Sequence, residues 1–270
     1  MSNIAAAFFD LGRLDRLARQ DTAVHRLDPR AKIATAVAFL VCIVSFDKYA
    51  VASLLPYALF PIALASAGRI PFGYLAKKIA IVAPFAVLVG LFNPLLDREI
   101  LFQYGPIGVG AGWVSFASIL VRFVLTVGTA LTLIAVTRFE GVCFGLQGLG
   151  VPRVFTLQLL FLYRYLFVLT EEAMRLVRAR SLRSFGGRGL GIAVYSSMIG
   201  QLLLRTLDRA TRIHIAMRCR GFDGELRASR QPRIGWPELR FALGWIAVFV
   251  ALRVWNLPRL LGDLTLRIAA

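Results

Sequence analysis

The 270-residue chain is 58% hydrophobic and only 17% charged, with a mean hydropathy of +0.69 and a formal charge of +17. An ordinary soluble domain has an apolar share of roughly 45–50% even with glycine counted, so this composition excludes one and places the chain in a lipid bilayer. The basic charge coexists with long uncharged stretches, which fit lipid better than a nucleic-acid groove, and no nucleic-acid partner is expected.

Residues 4–20 place Phe8, Leu11, Leu14 and Leu17 near one helical face with Arg13, Arg16 and Arg19 offset from it. That spacing predicts an interfacial helix or, equally, a surface helix packed on the protein. The first thirty residues are punctuated by Asp10, Asp15, Asp21 and Asp28 rather than forming a basic region followed by an apolar core. No cleavable signal peptide is read there, and the N-terminus is expected to stay cytoplasmic. In the stretch 27–32, LDPRAK, Asp28 can cap a helix and Pro29 can occupy its first turn, so the first membrane helix starts here.

The apolar run 33–46 ends at Asp47-Lys48, and a second covers 49–67. Together they predict a helical hairpin whose first member is shorter than the ~20 residues a span usually needs. Gly68-Arg69-Ile70-Pro71 breaks the second helix, Lys77 and Lys78 mark the next approach to the membrane, and a third span covers 79–96. Asn93-Pro94, then Asp97, Arg98, Glu99 and the glycine-rich stretch 105–112, predict an irregular loop. A fourth span runs over 113–137 with Trp113 at the interface. Arg122 inside it is costly unless paired, and a structural partner within the bundle is favoured over an ion pathway. A last apolar helix covers 241–257, followed by a tail with Asp263 and Arg267.

The expected fold is an all-α membrane protein of about five transmembrane helices plus long cytoplasmic helices. Its regions are 1–137, an amphipathic segment and four spans; 138–238, cytoplasmic; and 239–270, the last span and tail. The interval 138–238 carries sixteen arginines and no lysine, against Lys48, Arg98 and, in the tail, Arg259 and Arg267 on the opposite side. Six basic residues precede Ile33 and three lie in the 68–78 loop, so the positive-inside bias fits five spans with the N-terminus inside. A competing topology takes 154–170 as a sixth span, interrupted only by Arg164. That crossing would need another to bring the arginines back, and a helix along the membrane underside is preferred.

Two helical segments fill the interval. The segment 154–184 begins apolar and finishes charged, and about 190–220 repeats that gradient, with Gly186-Gly187-Arg188-Gly189 as a flexible break. Each carries an arginine flanked by small residues near its end: Ala179-Arg180-Ser181 and Cys219-Arg220-Gly221, with Arg178 and Arg218 supporting them at matching positions forty residues apart. Basic residues in a last helical turn serve as ordinary caps. A guanidinium with small neighbours can also enter a groove and grip carboxylates, and a polybasic surface beside a bilayer attracts anionic headgroups. All three readings remain open on the residues alone. Asp208 and Arg212, four apart, predict a helix-surface ion pair.

At these residues the chain resembles the transmembrane T component of energy-coupling factor (ECF) transporters, most closely the cobalt/nickel branch called CbiQ or NikQ. That family's signature is two Ala-Arg-Gly-like triplets near the ends of cytoplasmic coupling helices, matched here with Cys219 in place of the usual Ala. MRCRGFDGEL, the forty-residue spacing and LDPRAK are also similar to the family. The resemblance implies a coupling subunit that links two cytoplasmic ATP-binding cassette ATPases to a small membrane protein that captures the substrate. It places the triplets in grooves of the ATPases and the chain in a bacterial-type cytoplasmic (inner) membrane.

The chain contains no phosphate-binding loop of the G-x-x-x-x-G-K-[ST] kind, so ATP is expected in partner subunits and no cofactor on this chain. His25 and His214 form no ligand cluster with the free thiols Cys42, Cys143 and Cys219, so no metal site is expected. Glu171, Glu172, Asp208 and Asp223 form no catalytic constellation, and the chain is read as non-catalytic. The alternatives are a T component serving a vitamin, a membrane scaffold and a lipid enzyme. Tyr57 and Asn93 are candidates for touching the substrate subunit only because they lie in membrane helices.

Overall fold

The computed structural model describes residues 16–96, 100–104, 107–183, 192–224 and 235–255. The expectations for most of 4–20, for Asp97-Arg98-Glu99, for the glycines 186–189 and for Asp263 and Arg267 lie outside the described residues. The protein is an all-α membrane protein with one small β-hairpin. Its elements are α1 (Ala23–Arg26), α2 (Pro29–Val44), α3 (Val51–Ala67), α4 (Phe72–Leu96), β1 (Ile100–Tyr104), β2 (Ile107–Gly110), α5 (Ala111–Val136), α6 (Phe139–Gly148), α7 (Arg153–Arg183), α8 (Ile192–Cys219) and α9 (Trp236–Val254).

Several boundaries follow from local chemistry. Asp28 caps α2, its carboxylate accepting from the Arg30 amide at 2.8 Å, with Pro29 in the first turn as expected. α3 is interrupted by a 3-10 turn over Leu55–Ala58, where Pro56 has no amide proton for an α-helical bond. The expected irregular loop is in part a hairpin: β1 and β2 pair antiparallel, Tyr104 opposite Ile107 and Ile100 opposite Gly110. α5 consequently starts at Ala111, two residues before Trp113. α9 begins at Trp236 rather than Phe241, because Glu238 reaches back to accept from the Gly235 amide at 2.9 Å and Pro237 fits the first turn.

Among the described residues three helices are long and apolar enough to cross a membrane: Phe72–Pro94 of α4, α5, and also α7, which was expected to lie along the membrane underside. α3 is apolar but shorter, and α2 at 16 residues extends about 24 Å, short of a ~30 Å hydrocarbon core. Large side chains on α4 such as Phe85 and Leu88 are mostly exposed, as lipid-facing residues are.

Contacts divide the described chain into two compact units, 16–145 with 235–255, and 146–183 with 192–224. The first holds the apolar core, where Phe39, Phe60 and Phe249 form a ring triangle with centroids 5.0, 5.4 and 5.2 Å apart. Tyr57 is buried there and donates its hydroxyl to the Phe249 carbonyl at 3.0 Å. Asn93 donates to the Ser115 hydroxyl at 2.9 Å. Both side chains are therefore used inside the bundle, which withdraws Tyr57 as a candidate surface contact. Gly90 lets α4 approach α5, since a Cβ there would stand 2.8 Å from the Phe116 ring.

Side-chain bonds also fix helix directions in this unit. Lys32, at the start of α2, reaches the carbonyl of Val136 at the end of α5. Arg253, at the end of α9, donates to the Ser45 carbonyl at the end of α2 and stacks over the Phe46 ring. α2 and α9 thus run the same way, and α5 ends where α2 begins.

Candidate partner-docking site

The second unit is two long helices. α6 closes into the turn before α7 with a left-handed glycine: Gly150 has φ +102°, its amide bonds Gln147, and the Val151 amide bonds Leu146. That is a Schellman stop, and Pro152 then prevents the helix from resuming in register. α7 runs unbroken from Arg153 to Arg183. Ala179 and Ser181 are exposed and Arg180 is half-buried, and the first triplet lies in regular helix in the last described turn of α7. The Ser181 hydroxyl donates to the Arg178 carbonyl at 2.8 Å, an ordinary in-helix bond.

The second triplet is built differently. Cys219 is the last residue of α8, Arg220 is the cap, and Gly221 follows with φ +78°. The Gly221 amide bonds Arg218 and the Phe222 amide bonds Met217, both at 3.0 Å, which repeats the Schellman pattern seen at Gly150. Arg218, Cys219, Arg220 and Gly221 are all exposed. Among the described residues no carboxylate pairs with Arg220, which leaves its guanidinium fork available to a partner. The small-Arg-Gly order thus has a backbone reason: only glycine takes the left-handed position at little cost.

Sequence reasoning missed the link between the two helices. Glu172 of α7 accepts from Arg205 of α8 at 2.7 Å, and its side chain is only 18% exposed. The expected Asp208–Arg212 ion pair is not formed; both residues instead line a groove of about 420 Å³ with Tyr165, Leu169, Glu172 and Arg205. No sequence-local signal reveals a pair thirty-three residues apart on separate helices. Arg175 lies 3.9 Å from Glu171, the usual one-turn surface pair.

Neither histidine is placed for metal chemistry. His25 Nε2 donates to the Leu17 carbonyl at 3.1 Å and Nδ1 accepts from the Thr22 hydroxyl at 2.7 Å, a pattern for the neutral ring, and burial lowers its pKa accordingly. His214 is exposed on α8. Among the described residues no three of His, Cys, Asp and Glu lie close enough to hold a metal ion.

Residues 20–232 match the family model described as cobalt transport protein CbiQ, a span that contains both arginine triplets and the LDPRAK stretch. The chain belongs to the CbiQ family. Within and around that family it is 28% identical over 228 residues to the energy-coupling factor transporter transmembrane protein EcfT of Bacillus subtilis, covering 79% of this chain and 85% of the relative. It is 28% identical over 222 residues to the cobalt transport protein CbiQ of Rhodobacter capsulatus, covering 80% and 87%. It is also 26% identical over 121 residues to the nickel permease LarQ of Lactiplantibacillus plantarum, covering 45% and 42%. This CbiQ-family chain is accordingly a transport subunit embedded in a membrane.

Proposed function

We propose that the chain is the transmembrane coupling subunit of an ATP-driven ECF-type importer of cobalt or nickel ions. In this reading two cytoplasmic ATP-binding cassette subunits bind ATP, a small membrane subunit captures the metal, and this chain, holding no cofactor, transmits the ATPase motion between them. The membrane is the cytoplasmic one and the N-terminus faces the cytoplasm.

The observation that carries the proposal is the presentation of Arg220. An exposed guanidinium follows directly on the long helix α8, on a backbone turn fixed by Gly221, with small neighbours on both sides. That geometry suits insertion into an acidic groove. Arg180 supplies a second docking point from α7, supported by Arg178 as Arg220 is by Arg218. The names of the relatives favour cobalt first and nickel second.

The test is to co-purify the wild type, Arg180→Glu, Arg220→Glu and the double variant with the ATPase subunits, and to follow metal uptake in proteoliposomes. An interface arginine of this kind contributes at least about 2 kcal/mol, so each single variant is expected to weaken assembly by ~30-fold and the double to abolish assembly and ATP-dependent uptake. A double variant that assembles and transports normally would overturn the docking assignment. A graded loss reproduced by Arg209→Glu would favour headgroup attraction instead.

A further inference from the structure

Where α2 begins, a set of buried groups joins four elements. Lys32 is 2% exposed, and its ammonium donates to two main-chain carbonyls, Val24 of α1 at 3.3 Å and Val136 at the end of α5 at 3.0 Å. Asp28, one turn earlier, is buried and caps α2. On the next face Pro29 and Ile33 press on α6. A Cβ at Gly145 would stand 2.6 Å from Ile33 Cδ1 and 3.1 Å from Pro29 Cβ, and one at Gly141 would stand 3.3 Å from both Pro29 Cγ and Thr137 Cγ2.

A buried ammonium is a poor device for stability alone. An unbranched apolar side chain would fill the position without the desolvation cost, which runs to several kcal/mol for a buried ion. What the ammonium supplies is directional: it meets the Val136 carbonyl at the end of α5, where the helix dipole is negative, and ties it to the Val24 carbonyl of α1. The adjoining glycines supply close contact with α6, and small residues at such contacts permit rigid packing of helices. α6 is ten residues long and leads through the Gly150 stop directly into α7, the first arginine helix.

We propose that Lys32, together with Pro29 and Ile33, forms the transmission joint of this subunit, clamping the end of α5 and the connector helix α6 to the start of α2. Movement entering through α7 is passed to the membrane helices by this joint. The role is one of positioning, since Lys32 touches neither substrate nor ATPase. It rests on the coupling function proposed above.

The experiment uses the complete complex in proteoliposomes and measures two rates side by side, radioactive cobalt ion uptake and phosphate release from ATP. For Lys32→Met the expected result is a drop of at least tenfold in cobalt imported per ATP hydrolysed, with complex assembly and ATP hydrolysis within twofold of wild type. Lys32→Arg, which keeps the donors, is expected to recover part of the ratio. Gly145→Ala tests the other half of the joint and is expected to lower the ratio likewise. The added methyl collides with Ile33, so Gly145→Ala with Ile33→Ala is expected to restore it. An unchanged ratio in both Lys32→Met and Gly145→Ala overturns the proposal, as does a parallel fall in assembly, hydrolysis and uptake that Ile33→Ala does not relieve. Should Lys32→Met fail to assemble, the Gly145 pair decides. Failure of the coupling reading itself shows in the wild type, which would then not assemble with the ATPases, and the joint falls with it.

Discussion

Helix ends leave carbonyls without intrahelical partners, and in a bilayer core no water reaches them. In this protein cations donate to main-chain carbonyls at or just beyond helix ends. Lys32 meets Val136, Arg122 donates to the carbonyls of Phe46 and Asp47, and Arg253 donates to Ser45. The intramembrane Arg122 therefore has the structural partner expected of it, main chain beyond the end of α2 rather than an acidic side chain. At the same scale the two triplets part company. Gly221 sits at φ +78°, whereas Ser181 is in regular helix. An alanine in the left-handed region costs roughly 1–2 kcal/mol, so Gly221→Ala is expected to weaken ATPase binding about 5- to 30-fold by disordering the turn that presents Arg220. Asparagine, which tolerates that region better, is expected to cost less. Ser181→Ala leaves the backbone of a regular helix in place and, at an exposed position, should stay within about 0.5 kcal/mol. Titrating ATPase subunit onto the purified chain measures all three, and equal losses at the two positions would contradict the asymmetry.

Among the elements, the helices were the legible part. The helices expected at 154–184 and about 190–220 are Arg153–Arg183 and Ile192–Cys219, because apolar periodicity and glycine breaks are local signals that survive folding. The hairpin at 100–110 was not legible, since strand pairing depends on a partner rather than on a window of sequence. The 3-10 turn in α3 needed only Pro56 to be foreseen, yet the apolar run masked it. Equally hidden was the link between α7 and α8. Arg205 and Glu172 form a charged bond at 2.7 Å with Glu172 largely shielded and Arg205 more than half exposed. Exposure of one partner limits its worth to about 1 kcal/mol. Glu172→Arg or Arg205→Glu alone is expected to speed tryptic or chymotryptic cleavage of α8 by about fivefold, since like charges then face each other at the crossing. The exchanged pair should recover most of the protection; no recovery would mean that the two side chains do not fix the crossing.

For the molecule as a whole, helix direction within the first unit fixes where the chain leaves and re-enters it. α5 ends beside the start of α2, and α9 runs parallel to α2, so the interval between Val136 and Trp236 leaves and re-enters the bundle on one side. Any crossings within it must therefore come in pairs. Among the described residues α7 is long and apolar enough to cross and α8 is not. The proposed function puts the sixteen arginines of 138–238 in the cytoplasm, in line with the positive-inside bias. The native cysteines can test that side without substitution. Cys219 is exposed beside Arg220, whereas Cys143 is buried with its thiol pushed up to about 11 by desolvation, and so supplies almost no thiolate. A membrane-impermeant maleimide is expected to label Cys219 in inside-out vesicles and not in intact cells, where the half-buried Cys42 is the other thiol within reach. Cys219→Ser should remove more than about nine-tenths of the signal, given the burial of Cys143. Labelling of Cys219 from outside intact cells would reverse the orientation and take the cytoplasmic docking of Arg220 with it.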